Sequence, residues 1–156
     1  MSSFSTSLVR LIYASHMTRA CRPKDIMDIV EVSRKNNKRM GVTGALCFSS
    51  KGFLQCLEGP REAVNELYHR IVQDTRNVDC ALVSYEPIRY RKFREWTMAC
   101  VRSNEVDRHI LSRYGVVRTF DPCELDGEQA IGLLADISRE RTQFMSNAMS
   151  RRTPAP

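Results

Sequence analysis

Long apolar runs are missing from this sequence, and none approaches the roughly 20 residues that a membrane-spanning helix needs. The N-terminal stretch 1–7 is polar and has no basic segment followed by an apolar one. No secretory signal or membrane association is therefore expected, and the cytoplasm is the expected location. Paired cysteines are missing as well. Cys21, Cys47, Cys56, Cys80, Cys100 and Cys123 stand singly without a CxxC, which gives a zinc or redox site little support. Several fall in apolar strand-like stretches, where a free thiol acts as a small hydrophobe, and free thiols suit a reducing compartment. His16, His69 and His109 show no metal-ligand spacing. No internal repeat is present, and no second domain fits after residue 104.

What is there suits one domain: 156 residues with ordinary apolar and charged fractions can bury a proper core. The net charge of +6 raises the question of nucleic acid. The basic residues are spread along the chain, with local groups only at Arg34–Arg39 and Arg89–Arg94. A solvated basic surface is the expectation, without direct nucleic-acid binding.

The stretch Leu8–Ser15 reads as a buried strand. Pro23 fits a first helical turn, where its missing N–H costs nothing. Ile26, Ile29, Val30 and Ser33 then recur at helical spacing, predicting a helix to about Asn37, closed by Gly41. Val42–Phe48 and Phe53–Glu58 form a hairpin around Ser49–Gly52. A second helix starts at Gly59–Pro60, carries Val64, Leu67, Tyr68 and Ile71, and ends near Asp74. Val78–Glu86 is a fourth strand, Pro87–Arg94 a basic loop, and Glu95–Val101 a fifth strand. The order βαββαββ contains the split βαβ pattern of a ferredoxin-like α+β sheet, with both helices on one face. The other face needs a cover, which the C-terminal segment can supply. It offers Val106, Ile110, Leu111 and Tyr114, then a helix opened by Asp126 and Gln129 that carries Ile131, Leu134 and Ile137. The expected organisation is a core at residues 8–103, a helical extension at 104–149, and disordered ends at 1–7 and 150–156.

Strand side chains alternate between faces. Val9, Leu11, Tyr13 and Ser15 therefore share one face, as do Phe53, Gln55 and Leu57, and as do Arg94, Trp96, Met98 and Cys100. If these faces meet the helices, Tyr13 and Gln55 lie in the core, where an unpaired polar group costs roughly 1–3 kcal/mol. Asn37 shares its helical face with Val30 and Ser33. A polar planar ligand held by the three residues is one reading. A hydrogen-bonded core Tyr and an Asn at a helix end is the other.

In these residues the sequence resembles the BLUF family of flavin-based blue-light sensors. The matching signatures are Leu11–Ser15 (LIYAS), Asn36–Asn37, Gly41–Gly44 (GVTG), Phe53–Gly59 (FLQCLEG) and Phe93–Met98 (FREWTM), in order over residues 8–101. The resemblance implies a photoreceptor, not an enzyme. Its cofactor would be FAD, with FMN or riboflavin as alternatives. Tyr13 would give an electron and then a proton to the excited flavin, and Gln55 would bridge Tyr13 to the ring and rearrange. Asn37 and Asn36 would bond the ring edge. Ile29 and Phe53 would form its walls, Arg76 would anchor the ribityl-phosphate, and Met98 would border the pocket. Ser15, Trp96 and Met98 would relay the signal, Trp96 and Met98 competing for the space beside Gln55. The signal would pass through the fifth strand and the C-terminal helices to an unidentified partner protein, with a homo-oligomer expected.

Two other classes fit worse. An RNA-recognition module shares the core, and Lys51–Phe53 matches the start of its aromatic strand. Leu54, Gln55 and Glu58 then break the pattern of small and stacking residues. An acylphosphatase-like enzyme needs a phosphate-cradling loop, and Ser15–Pro23 is not glycine-rich.

Overall fold

The computed structural model describes residues 7–94, 98–117 and 119–151, with residues 99 and 141–151 described by their backbone alone. The elements run β1 (Leu8–Met17), α1 (Pro23–Met40), β2 (Thr43–Phe48), β3 (Gly52–Pro60), α2 (Arg61–Gln73), β4 (Asn77–Ile88), β5 (Ala99–Arg102), α3 (Arg108–Arg113) and α4 (Gly127–Arg151). Short 3-10 turns lie at Ser103–Glu105 and Pro122–Glu124. The sheet order is β4-β1-β3-β2-β5, with β5 parallel to β2 and the other pairs antiparallel. This is the ferredoxin-like α+β sheet extended by a fifth strand.

The period-2 pattern sorts the strands' side chains into two cores. Val9, Leu11 and Tyr13 of β1, with Phe53 and Leu57 of β3, pack under Ile26 and Val30 of α1 and Val64 of α2. Ile12, Ala14, Leu54 and Cys56 face the other way, against Ala130, Leu133, Leu134 and Ile137 of α4. Both central strands are thus covered on two sides, which is why they read as nearly unbroken apolar runs. Leu133 and Leu134 are fully buried, each contributing roughly 1.5–3 kcal/mol. The cap expected at the start of α4 is present: Gln129 N–H donates to Asp126 Oδ1 at 2.8 Å, and Asp126 N–H donates to Gln129 Oε1 at 2.9 Å.

Several boundaries differ from expectation. Helix α1 runs three residues past Asn37 to Met40 and stops at Gly41, whose φ of 72° is the left-handed conformation that glycine adopts without strain. Asn37 is therefore inside the last turn and not a cap. Gly59 and Pro60 belong to β3, and α2 begins at Arg61. Strand β4 continues to Ile88 and takes Pro87 out of the expected loop. It is an edge strand, where a residue without an N–H can face away from the ladder. The described part of the expected fifth strand runs Ala99–Arg102, and residues 95–97 of that expectation lie outside the described residues. The expected disordered ends lie largely outside the described residues. Of their described parts, the Ser7 carbonyl accepts from Arg61 N–H at 3.1 Å, and α4 reaches Arg151.

The stretch after β4 is anchored by one carboxylate. Glu58, with its side chain fully buried, accepts from Arg10 Nε at 2.9 Å, from Lys92 N–H at 2.9 Å and from Phe93 N–H at 2.8 Å. Arg91 adds bonds to Thr43 Oγ1, the Glu58 carbonyl and the Gly41 carbonyl. Much of the expected basic loop is thus pinned to the end of β3 and does not move freely in solvent.

Candidate functional site

A cavity of about 70 Å³ lies between the sheet and the helix pair. Its walls are laid down by helical spacing. Ile29, Ser33 and Asn37 stand four residues apart along α1, and Leu67 and Ile71 do the same on α2. Tyr13 and Gln55 form the floor because β1 and β3 pair them directly.

Tyr13 Oη–H donates to Gln55 Oε1 at 2.5 Å, and Gln55 Nε2 donates to Met98 Sδ at 3.3 Å. All three side chains are buried. Met98 lies just ahead of β5, and its backbone carbonyl accepts from Arg34 Nε of α1 at 3.1 Å. The result is a continuous connection from the β1 phenol through the β3 amide to the start of β5. A thioether is a weak acceptor. The Gln55 amide therefore keeps donor capacity for a stronger one.

Burial pushes the Tyr13 phenol well above its ordinary pKa, and the Asp74 carboxylate adds to the rise. Tyr13 is thus held protonated in the resting protein. Its ring lies 5.6 Å from that of Tyr68. At the mouth, Arg76 Nε donates to Asp74 Oδ1 at 2.9 Å, and Nη2 donates to Oδ2 at 2.5 Å. These hydrogen bonds hold the Asp74 carboxyl below its usual range and raise Arg76.

Of the residues expected from sequence, Tyr13, Ile29, Asn37, Phe53, Gln55 and Arg76 line the cavity. Met98 joins through Gln55. Ser15 is fully buried in β1, two residues beyond Tyr13 and off the cavity wall. Asn36 is half-buried on α1 and does not line the cavity, because it sits about 100° around the helix from Asn37. Trp96 lies outside the described residues. Sequence reading missed Ser33, Leu67, Ile71, Leu46, Asp74, Asn77 and the Arg34 link as parts of the site. The first three follow from helical spacing. Asp74, Asn77 and Arg34 carry no periodic signal.

The cavity's chemistry fits a flavin. Apolar walls from Ile29, Leu46, Phe53, Leu67 and Ile71 suit a flat ring. The Asn37 and Gln55 amides offer donors and acceptors to a heterocycle edge, and Arg76 places a cation at the opening. Comparison with known proteins agrees. Residues 8–99 match the family model described as BLUF, sensors of blue-light using FAD. The photoactivated adenylate cyclase subunit beta of Euglena gracilis is 37% identical over 94 residues, covering 60% of this chain and 11% of that protein. The blue light- and temperature-regulated antirepressor BluF of Escherichia coli K12 is 39% identical over 84 residues, covering 53% of this chain and 21% of its own length. This chain therefore spans only a small part of these curated relatives. The dark-state structure of BlrB, a BLUF protein, superposes with a TM-score of 0.72 at 32% identity, covering 85% of this chain and 96% of BlrB. The photo-activated state of BlsA superposes at 0.73 with 28% identity, covering 83% and 93%. The chain belongs to the BLUF family of flavin-using blue-light sensors.

Proposed function

We propose that this chain is a light-operated signalling switch that transforms no substrate, binds FAD in the cavity, and signals by rearranging Gln55. The single supporting observation is the buried connection Tyr13–Gln55–Met98, which joins the cavity floor to the start of β5. The bound flavin supplies a blue-absorbing ring that accepts an electron once excited.

Everything else is done by the protein. Tyr13 gives up the electron, and its acidity rises sharply on oxidation. The proton leaves along the one short bond available, to Gln55 Oε1 at 2.5 Å. As the electron and the proton return to Tyr13, Gln55 is left rotated or tautomerised, its contact with Met98 exchanged, in a second hydrogen-bonded arrangement. Low local dielectric makes such a network sensitive to a single proton. Asn37, with Asn36 nearby, holds the ring edge. Ile29 and Phe53 exclude water, and Arg76 turns partly from Asp74 toward the ribityl-phosphate. FMN would satisfy the same ring and phosphate contacts and lack only the adenylate portion, and riboflavin would keep the ring contacts without the phosphate.

The altered Gln55 shifts the Met98 position, with Ser15 and Trp96 as further relays, and biases β5 and the helices that follow. A partner protein or a second copy of the chain, in the cytoplasm, reads that change. Tyr13→Phe and Gln55→Leu test the assignment. Both variants should retain flavin and lose the reversible light-induced spectral shift. A normal shift in either variant would overturn the switch.

A further inference from the structure

At the far end of β1, outside the cavity, four side chains from three distant stretches of the chain come together. His16 ends the buried part of β1, Asp79 comes from β4, and Asp121 and Cys123 come from the 3-10 turn that precedes α4. The donor atoms of His16, Asp121 and Cys123 lie within 4.8 Å of one another, and all three residues are partly buried. His16 Nε2 is 3.4 Å from Asp121 Oδ1. Asp121 Oδ1 also accepts the Cys123 N–H at 3.1 Å, which holds the carboxylate beside the thiol.

These distances resemble those of a metal site. Zinc bonds to N, O and S of about 2.0–2.3 Å put tetrahedral ligand atoms roughly 3.3–3.8 Å apart. The His16–Asp121 pair already has such a separation, and Cys123 Sγ needs to close by at most about 1.5 Å. The second imidazole nitrogen supplies a separate observation. His16 Nδ1 lies 3.4 Å from Asp79 Oδ2. A carboxylate on Nδ1–H selects the tautomer whose Nε2 lone pair points at Asp121 and Cys123, the arrangement found behind metal-bound histidines. Asp79 reaches this place from a break in the β1–β4 register between Ala14 and His16.

We propose that His16, Asp121 and Cys123 bind a borderline divalent cation of the zinc class, with water as fourth ligand and Asp79 orienting His16. The mixed N, O and S set suits zinc, cobalt or nickel and disfavours magnesium and calcium, which prefer oxygen alone. Binding deprotonates the Cys123 thiol, the proton passes to solvent, and no electrons move. The bound ion ties the C-terminal extension to β1 three residues beyond Tyr13. Cysteine spacing could not reveal it, because the ligands are brought together by the docking of the extension onto the sheet.

Co2+ titrated into the metal-free full-length chain, read by calorimetry and by the thiolate-to-cobalt absorption band in the near ultraviolet, tests this directly. One equivalent should bind with the band present. Cys123→Ala should abolish the band while Cys80→Ser keeps it. Asp79→Asn should weaken binding about 10–100-fold. Asp79 is 71% exposed, so its replacement spares the fold. Absence of stoichiometric binding by the unaltered chain would overturn the site. So would a band that survives Cys123→Ala, or affinity unchanged by Asp79→Asn.

Discussion

Tyr13, Gln55 and Met98 show how three side chains can divide one task. The first holds a proton, the second has an acceptor toward Tyr13 and a donor toward Met98, and the third offers a weak acceptor that is easily given up. Met98→Leu preserves the packing volume and should cost less than about 1.5 kcal/mol. It removes the sulfur that takes the Gln55 N–H. Flavin should stay bound, while the dark-recovery rate changes several-fold in time-resolved absorbance. An unchanged rate would remove Met98 from the switch. Tyr13 and Gln55 were legible in the sequence because a phenol and an amide interrupt period-2 apolar strands. Asn37 was legible only in part: its face was clear, and its place inside α1 became clear only once the helix was seen to reach Met40. Asp74 was not legible as a site residue, since nothing in its neighbourhood announces that it will bind Arg76 at the cavity mouth.

At the scale of elements, Glu58 matters most. It pairs with Arg10 and accepts the Lys92 and Phe93 N–H groups, so it fixes the path of the chain from β4 toward β5. Glu58→Ala leaves the buried Arg10 charge with only the half-exposed Glu86 carboxylate, and it leaves those N–H groups without their partner. Stability should fall by roughly 3–5 kcal/mol in urea unfolding, the range for breaking a buried pair from one side. A change below about 1 kcal/mol would show the pair to be no stronger than an exposed one. The strand and helix order was readable from periodicity and from turn residues such as Gly41. The C-terminal end of β4 was not. Pro87 reads as a loop residue until β4 is known to be an edge strand, and Glu58 reads as an ordinary polar strand residue until the returning chain covers it.

For the whole molecule, the two-sided sheet makes the fold dependent on neutral buried groups. Burial raises Tyr13, pushes Cys47 up to about 12, and raises Cys56. In the unfolded chain these groups titrate near 10 for the phenol and near 8.5 for the thiols. Above about pH 8.5 the unfolded state therefore binds fewer protons than the folded one, and stability falls as pH rises. Urea midpoints should be lower at about pH 10 than at about pH 8, with little dependence across about pH 7–8. A midpoint that holds or rises at the alkaline value would contradict the burial of these three groups. The need for a cover on the second sheet face was legible from alternation alone, and α4 supplies it with Leu133 and Leu134. What the cover brings with it, the docking of Asp121 and Cys123 beside His16, depends on tertiary placement that no local pattern encodes. The visible spectrum of the purified chain, recorded in darkness and immediately after blue illumination, is the most direct test of the light-switch reading. Bound oxidised flavin with a small red shift that decays in the dark is the expected result. A chain that takes up no flavin, or a flavin-loaded chain with no shift, would contradict it.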